Sequence, residues 1–154
     1  CLPTFQDCSY KEEDLIDKYN GCMADTFGNL LHRLIHLANK KWIDLHATNT
    51  DDPILEEMSN DYYQEISQCF DNYLLRKAAN KIHKYAIEAK KYFNDKAPWS
   101  KEYSIEEVKN ILINKNKYYL KPIVTLYSPI IPNSCEKAMK ALNNQEKIVL
   151  FSKL

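Results

Sequence analysis

The sequence predicts an all-α protein, a bundle of four to five helices. Three observations carry that expectation. Apolar residues recur at steps of three, four and seven along most of the 154-residue chain. Helix-start chemistry stands where two of those stripes begin, at Asp52-Pro53 and at Ser104-Ile-Glu-Glu107. No β-hairpin signal appears anywhere along the chain.

Residues 1–10 read as a linker. From about 11 to 44, Ile16, Met23, Phe27, Leu30, Leu34 and Leu37 form an apolar stripe. Leu31, Ile35, Ala38 and Trp42 widen it, so this first helix is expected to be buried over much of its surface, Trp42 included. Gly21 and Gly28 each cost helix propensity, up to about 1 kcal/mol. That cost points to close helix packing at both, with a kink at Gly21 as the second reading. Residues 45–52 are a turn-rich loop. Asp52 as N-cap and Pro53 at the first helical position open a second helix to about Phe70, with Ile54, Met58, Tyr62, Ile66 and Phe70 inward. A third helix, about Asn72 to Asn94, carries Leu75, Ala78, Ala79, Ile82, Ala86, Ala89 and Phe93. The segment Lys96-Ala-Pro-Trp99 breaks it. The capping box at Ser104 opens a fourth helix to about Tyr127, which Pro122 should kink. Ser128–Pro132 connects to a short fifth helix with Cys135, Ala138, Met139 and Leu142 inward. The bundle thus spans 11–144, and 145–154 reads as an extended tail.

Composition excludes several function classes. Two glycines in the whole chain leave no room for a Rossmann fingerprint, a P-loop or a many-turned β fold. The five cysteines, Cys1, Cys8, Cys22, Cys69 and Cys135, are odd in number and form no Cys-x-x-Cys pair. They speak against a disulfide framework or a zinc ribbon and for a reducing, cytoplasmic setting. His32 and His36 have the spacing of a helical metal pair, but no Glu follows His32 as a metalloprotease would need. They read as surface or packing histidines, and no metal is expected. No apolar run approaches the roughly 18 residues of a membrane span. The opening residues lack a signal peptide's basic and apolar regions. A chain that opens on Cys1 rather than Met is expected to be cut from something longer. No nucleophile elbow, phosphate loop or carboxylate dyad stands out, so no catalytic residue is expected.

Lys and Arg total 21, as do Asp and Glu, so the net charge is zero. At face value this speaks against a nucleic-acid partner. The distribution reverses that. Between Trp42 and Leu75 there are eight acids and no Lys or Arg, and between Arg76 and Lys121 there are twelve basic residues and five acids. Lys77, Lys81, Lys84 and Lys91 share one helical face, interrupted by Glu88. A solvated face accounts for such a row by itself. A phosphate backbone is the other partner it suits.

Three residues draw attention for recognition. Asn29 and Arg33, four apart, stand on one face of the first helix. Asn offers an acceptor and two donors and Arg a rigid fork, and both suit base edges. A surface hydrogen bond is the simpler account of the pair. Trp99 follows Pro98 at a helix end, where a rigid loop can project a large ring. Exposed beside basic helices it is a stacking platform for an unpaired base. Buried, it would close the end of the bundle.

The run Asp14-Leu-Ile-Asp-Lys-Tyr-Asn20 leads into Phe27-Gly-Asn-Leu-Leu-His-Arg33. Tyr73-Leu-Leu-Arg-Lys-Ala78 leads through Tyr92-Phe-Asn-Asp-Lys-Ala-Pro-Trp99. Leu126-Tyr-Ser-Pro-Ile-Ile-Pro132 and Leu150-Phe-Ser-Lys-Leu154 follow. In order and spacing, from about residue 11 onward, these resemble the anticodon-binding domain of the methionyl-tRNA synthetases, a class I aminoacyl-tRNA synthetase family. The resemblance implies the class I anticodon-binding helical bundle. It implies that Asn29 and Arg33 contact anticodon bases and that Trp99 stacks on the first of them. The implied partner is the anticodon loop of tRNA(Met), with anticodon CAU, and the basic row of Arg76, Lys77, Lys81, Lys84 and Lys91 would follow phosphates of the stem. The second implied partner is the catalytic domain of the same protein, which would bring ATP, methionine and magnesium. This chain, lacking it, would hold no cofactor and be inactive alone as a methionine–tRNA ligase. One departure is Asp25-Thr26, where the family more usually has Asn-Asp. The alternatives are the corresponding domain of an isoleucine, valine, leucine or cysteine enzyme, disfavoured by the joint Asn29/Arg33 and Ala-Pro-Trp99 signatures, and a helical protein-interaction module docking through its acidic second helix.

Overall fold

The computed structural model describes residues 12–47, 51–100, 102–146 and Leu150. The expected linker, 1–10, lies outside them, and of the expected tail only Gln145, Glu146 and Leu150 are described. Helices α1 (Glu12–Tyr19) and α2 (Asn29–Lys40) are joined by a π-helical segment, Asn20–Gly28, into one rod. Then come α3 (Pro53–Asp71) and α4 (Leu75–Lys96). Helices α5 (Ile105–Lys115) and α6 (Lys121–Tyr127) are likewise joined through a π-helical segment, Asn116–Leu120, and α7 (Pro132–Asn144) follows. Among the described residues these make five rods and no strand. α4 is central: it packs against α2, α3, α5, α6 and both π segments. Phe27, Leu31, Ile35, Ile82, Tyr85, Phe93, Leu112, Leu120 and Tyr127 fill the core between them.

The local start signals work as the sequence predicts. Asp52 Oδ1 accepts from the Ile54 and Leu55 N–H groups at 3.1 and 3.2 Å. The Ser104 N–H donates to Glu107 Oε2 at 2.7 Å, and the Glu107 N–H donates back to Ser104 Oγ at 3.3 Å. Pro122 also acts, but not through a simple kink. With no N–H it leaves the Tyr118 carbonyl, four residues back, without its helical donor. The Tyr85 hydroxyl of α4 donates to that carbonyl instead. The Lys121 N–H reaches back five residues to the Asn116 carbonyl, and the helix runs as a π turn there.

Four expectations need correction. A Cβ on Gly21 would meet nothing within 4 Å, so close packing does not explain this glycine. It lies within the first π segment, where Thr26 Oγ1 donates to the Gly21 carbonyl at 2.7 Å. Trp42 is not core: it is 95% exposed. α2 stops at Lys40, and Trp42 takes φ 56°. The Ile43 N–H turns back to the Ala38 carbonyl (2.9 Å) and Ile43 takes the buried place. Tyr73 does the same after α3, at φ 58°, with the Leu74 N–H bonded to the Cys69 carbonyl at 2.8 Å. Bulky residues thus hold left-handed sites that glycine fills at least cost. Finally, Ile54 and Leu75, expected inward, lie exposed in the first turns of α3 and α4. α3 is an edge helix that buries only Ile66 and Cys69 and turns Glu56, Glu57, Asp61 and Glu65 outward.

Cys22, Cys69 and Cys135 are unpaired, and burial pushes the Cys135 thiol up to about 11. No helix among the described residues is long and apolar enough to cross a membrane.

Candidate nucleic-acid interface

α2 begins at Asn29, directly after the π segment, so Asn29 and Arg33 stand one turn apart at its start. Asn29 is exposed and Arg33 half-buried. The expected surface hydrogen bond between them is not formed, and among the described residues neither side chain has a hydrogen-bond or ion-pair partner. Arg33 lies instead on rings contributed by α4 and the turn after it. Its guanidinium carbon is 5.1 Å from the centroid of Trp99 and 5.3 Å from that of Phe93.

That placement depends on how α4 ends. Ala97 takes φ 41° and its N–H closes on the Phe93 carbonyl at 3.0 Å. The Ser100 N–H bonds to the Ala97 carbonyl at 2.9 Å, and Pro98 is buried within the turn. Trp99 is thereby folded back edge-on to Phe93, centroids 5.4 Å apart at 70°. It is 47% exposed, so it is neither wholly core nor free: one part packs on Phe93 and Arg33 and the rest meets solvent. Phe93 is buried, and Lys115 of α5 approaches its ring with Nζ 3.3 Å from the centroid. Lys115 is wholly buried and its Nζ has no hydrogen-bond partner among the described residues. Burial, and next the charge of Arg33, hold its amine well below the usual lysine value.

A guanidinium drawn to aromatic rings by their quadrupole spends none of its N–H groups on a carboxylate and leaves them for an acceptor edge. A half-exposed indole offers a stacking face. The arrangement suits an unpaired base better than a small-molecule reaction.

A family model described as the anticodon-binding domain of tRNA ligase matches residues 52–153. The chain belongs to this family. The anticodon-binding domain is similar to the methionine–tRNA ligase of Ureaplasma parvum, 28% identical over 99% of this chain and 30% of that protein. It is similar also to that of Thermotoga maritima, 29% identical over 92% of this chain and 23% of that one. It thus spans less than a third of the length of these relatives. Its fold is that of the corresponding part of Mycobacterium tuberculosis methionyl-tRNA synthetase in complex with methionyl-adenylate. There the TM-score is 0.79 at 22% identity, over 95% of this chain and 31% of that one.

Within the anticodon-binding domain, the basic row lies apart from Arg33 and Trp99. Arg76, Lys77, Lys84 and Lys91 are exposed. Lys84 and Lys91 project from the side of α4 opposite the buried Phe93. Lys81 is paired with Glu65 of α3 at 3.0 Å. Lys81 and Lys84 border a cleft that also takes Asp61, Glu65 and Glu88, so acids shadow this part of the row. Two residues of the interface are not evident from the sequence pattern: Phe93, which reads as core alone, and Lys115. A signal for Lys115 does exist. It falls at the next position of the apolar stripe Val108, Ile111, Leu112, where a lysine is out of place.

Proposed function

We propose that this chain is the anticodon-reading part of a methionine–tRNA ligase. Trp99 stacks on the first base of a CAU anticodon while Asn29 and Arg33 hydrogen-bond to base edges. The single observation that carries the reading is Arg33, whose guanidinium lies over Trp99 and Phe93 and which has no hydrogen-bond or ion-pair partner among the described residues. The names of the similar proteins supply the methionine specificity. Arg76, Lys77, Lys84 and Lys91 are offered to stem phosphates, and Lys81 joins them only by leaving Glu65. Bound in this way, tRNA(Met) presents its distant acceptor end to a catalytic domain that uses ATP, methionine and magnesium, and the chain by itself transfers nothing. The unpaired cysteines fit a cytoplasmic setting.

The test is a titration of a CAU anticodon hairpin RNA against hairpins changed at each anticodon position. Each change should weaken binding by about 1–3 kcal/mol. Equal affinity for all of them rejects anticodon reading and returns the bundle to the protein-interaction alternative.

A further inference from the structure

The sequence leaves His32 and His36 as surface or packing histidines; both prove exposed. Their rings lie nearly parallel, 6° apart with centroids at 6.1 Å. They fall on one line with the recognition residues. Asn29, His32, Arg33, His36 and Lys40 recur at steps of three and four, so they form a single stripe along α2. Apart from the half-buried Arg33, every member is exposed, and α2 contains no acidic residue.

We propose that this stripe is a continuous RNA-binding track, in which His32 and His36 take the phosphate backbone beside the bases read by Asn29 and Arg33. The proposal rests on the anticodon reading above and extends it by about 10 Å along the helix, from Asn29 to His36. A metal is the poorer occupant, because no third His, Cys, Asp or Glu joins the pair among the described residues. The charged neighbours on the stripe within α2 are Arg33 and Lys40, both cations, and the acid nearest its start along the chain is Asp25, four residues before Asn29 in the π segment. Among the described residues no group of another element bonds or pairs with either ring. Two imidazoles four residues apart repel once both are protonated. An anion held between them removes that repulsion and favours the charged form. By the same linkage, protonating the pair strengthens its hold on the anion, so the interaction tightens on mild acidification.

The probe is the CAU hairpin RNA, titrated at about pH 6 and about pH 8 over a range of salt. It is titrated against this chain, the double variant His32→Gln/His36→Gln, and Trp99→Ala. Binding by the unaltered chain should be severalfold tighter at the lower pH. The double variant should lose that preference, and its salt slope should fall by about 0.7–0.9 for each phosphate it no longer neutralises. Its discrimination between CAU and a one-base change should be kept, since phosphate binding carries no sequence information. If the double variant keeps the original pH and salt dependence while Trp99→Ala weakens binding, the track is rejected and the anticodon reading stands. If Trp99→Ala is silent as well and no base change matters, both are rejected.

Discussion

Two regions of the bundle carry basic side chains and treat them in opposite ways. Along the flank shared by α3 and α4, cations meet carboxylates: Lys81 pairs with Glu65 at 3.0 Å, and Lys117 with Asp51 just before α3. Glu65 holds the Lys81 ammonium above its usual pKa, and Lys117 holds the Asp51 carboxyl below its own. Where α2 meets the end of α4, basic side chains meet rings: Arg33 lies over Trp99 and Phe93, and Lys115 over Phe93, and among the described residues neither is paired with an acid. A carboxylate uses a cation's donors, and an incoming phosphate must displace it. A ring attracts a guanidinium without accepting its N–H hydrogen bonds and leaves them available. The zero net charge of the chain is therefore no guide to its partner, because it sums an acidic stretch before residue 76 and a basic stretch from 76 to 121 whose cations are only partly paired.

The largest effect that tests this contrast is expected at Trp99. Trp99→Ala should weaken binding of the CAU hairpin about 5–150-fold, the value of about 1–3 kcal/mol for one stacked base. It should leave the helical circular dichroism intact, because the ring is half exposed and lies outside the helices. A collapse of the helical signal would instead make Trp99 a structural plug. The ring-held end would then lose its claim to recognition.

How much of this was legible in the sequence depends on how local the cause is. Asp52 and Ser104 act on N–H groups two or three residues away, and both helix starts were readable. The stripe from Phe27 to Leu37 was readable as well, but a stripe does not say where the chain leaves the helix. Trp42 continues the pattern, yet a left-handed turn carries it out into solvent. The interruption at Pro122 was readable; its π form was not, because the Tyr118 carbonyl is satisfied by Tyr85 from another helix. At the proposed interface, Asn29, Arg33 and Trp99 could be named one by one. Their meeting could not, since it needs Phe93 as the shared ring and the turn at Ala97 to bring Trp99 back to it.

A middle-sized effect is expected from Lys115, this time on stability. With the amine held below its ordinary value of 10.5 in the fold, the unfolded chain binds more protons between the two values. Stability should therefore rise with pH through that window. The comparison is best made below about pH 9, before unfolded tyrosines ionise. Lys115→Met replaces an unpartnered buried amine with an apolar chain of similar length. It should stabilise the bundle by about 1–3 kcal/mol, raise the melting temperature by several degrees and flatten the pH dependence. An unchanged melting temperature and pH slope would mean that the amine is satisfied in the fold and keeps its proton there.

The smallest effect divides the basic row itself. Lys91 is exposed and has no ion-pair partner among the described residues, whereas Lys81 is held by Glu65. If acid pairing withholds a cation from RNA, Lys91→Met should reduce the salt slope of hairpin binding by about 0.7–0.9, and Lys81→Met should leave it unchanged. Both variants should keep the original melting temperature, because Glu65 stays solvated when its partner is removed. An equal reduction of slope in both would show that RNA phosphate displaces Glu65. The acidic face of α3 would then act as a mobile counter-charge, one that holds the lysines until the anticodon arm takes its place.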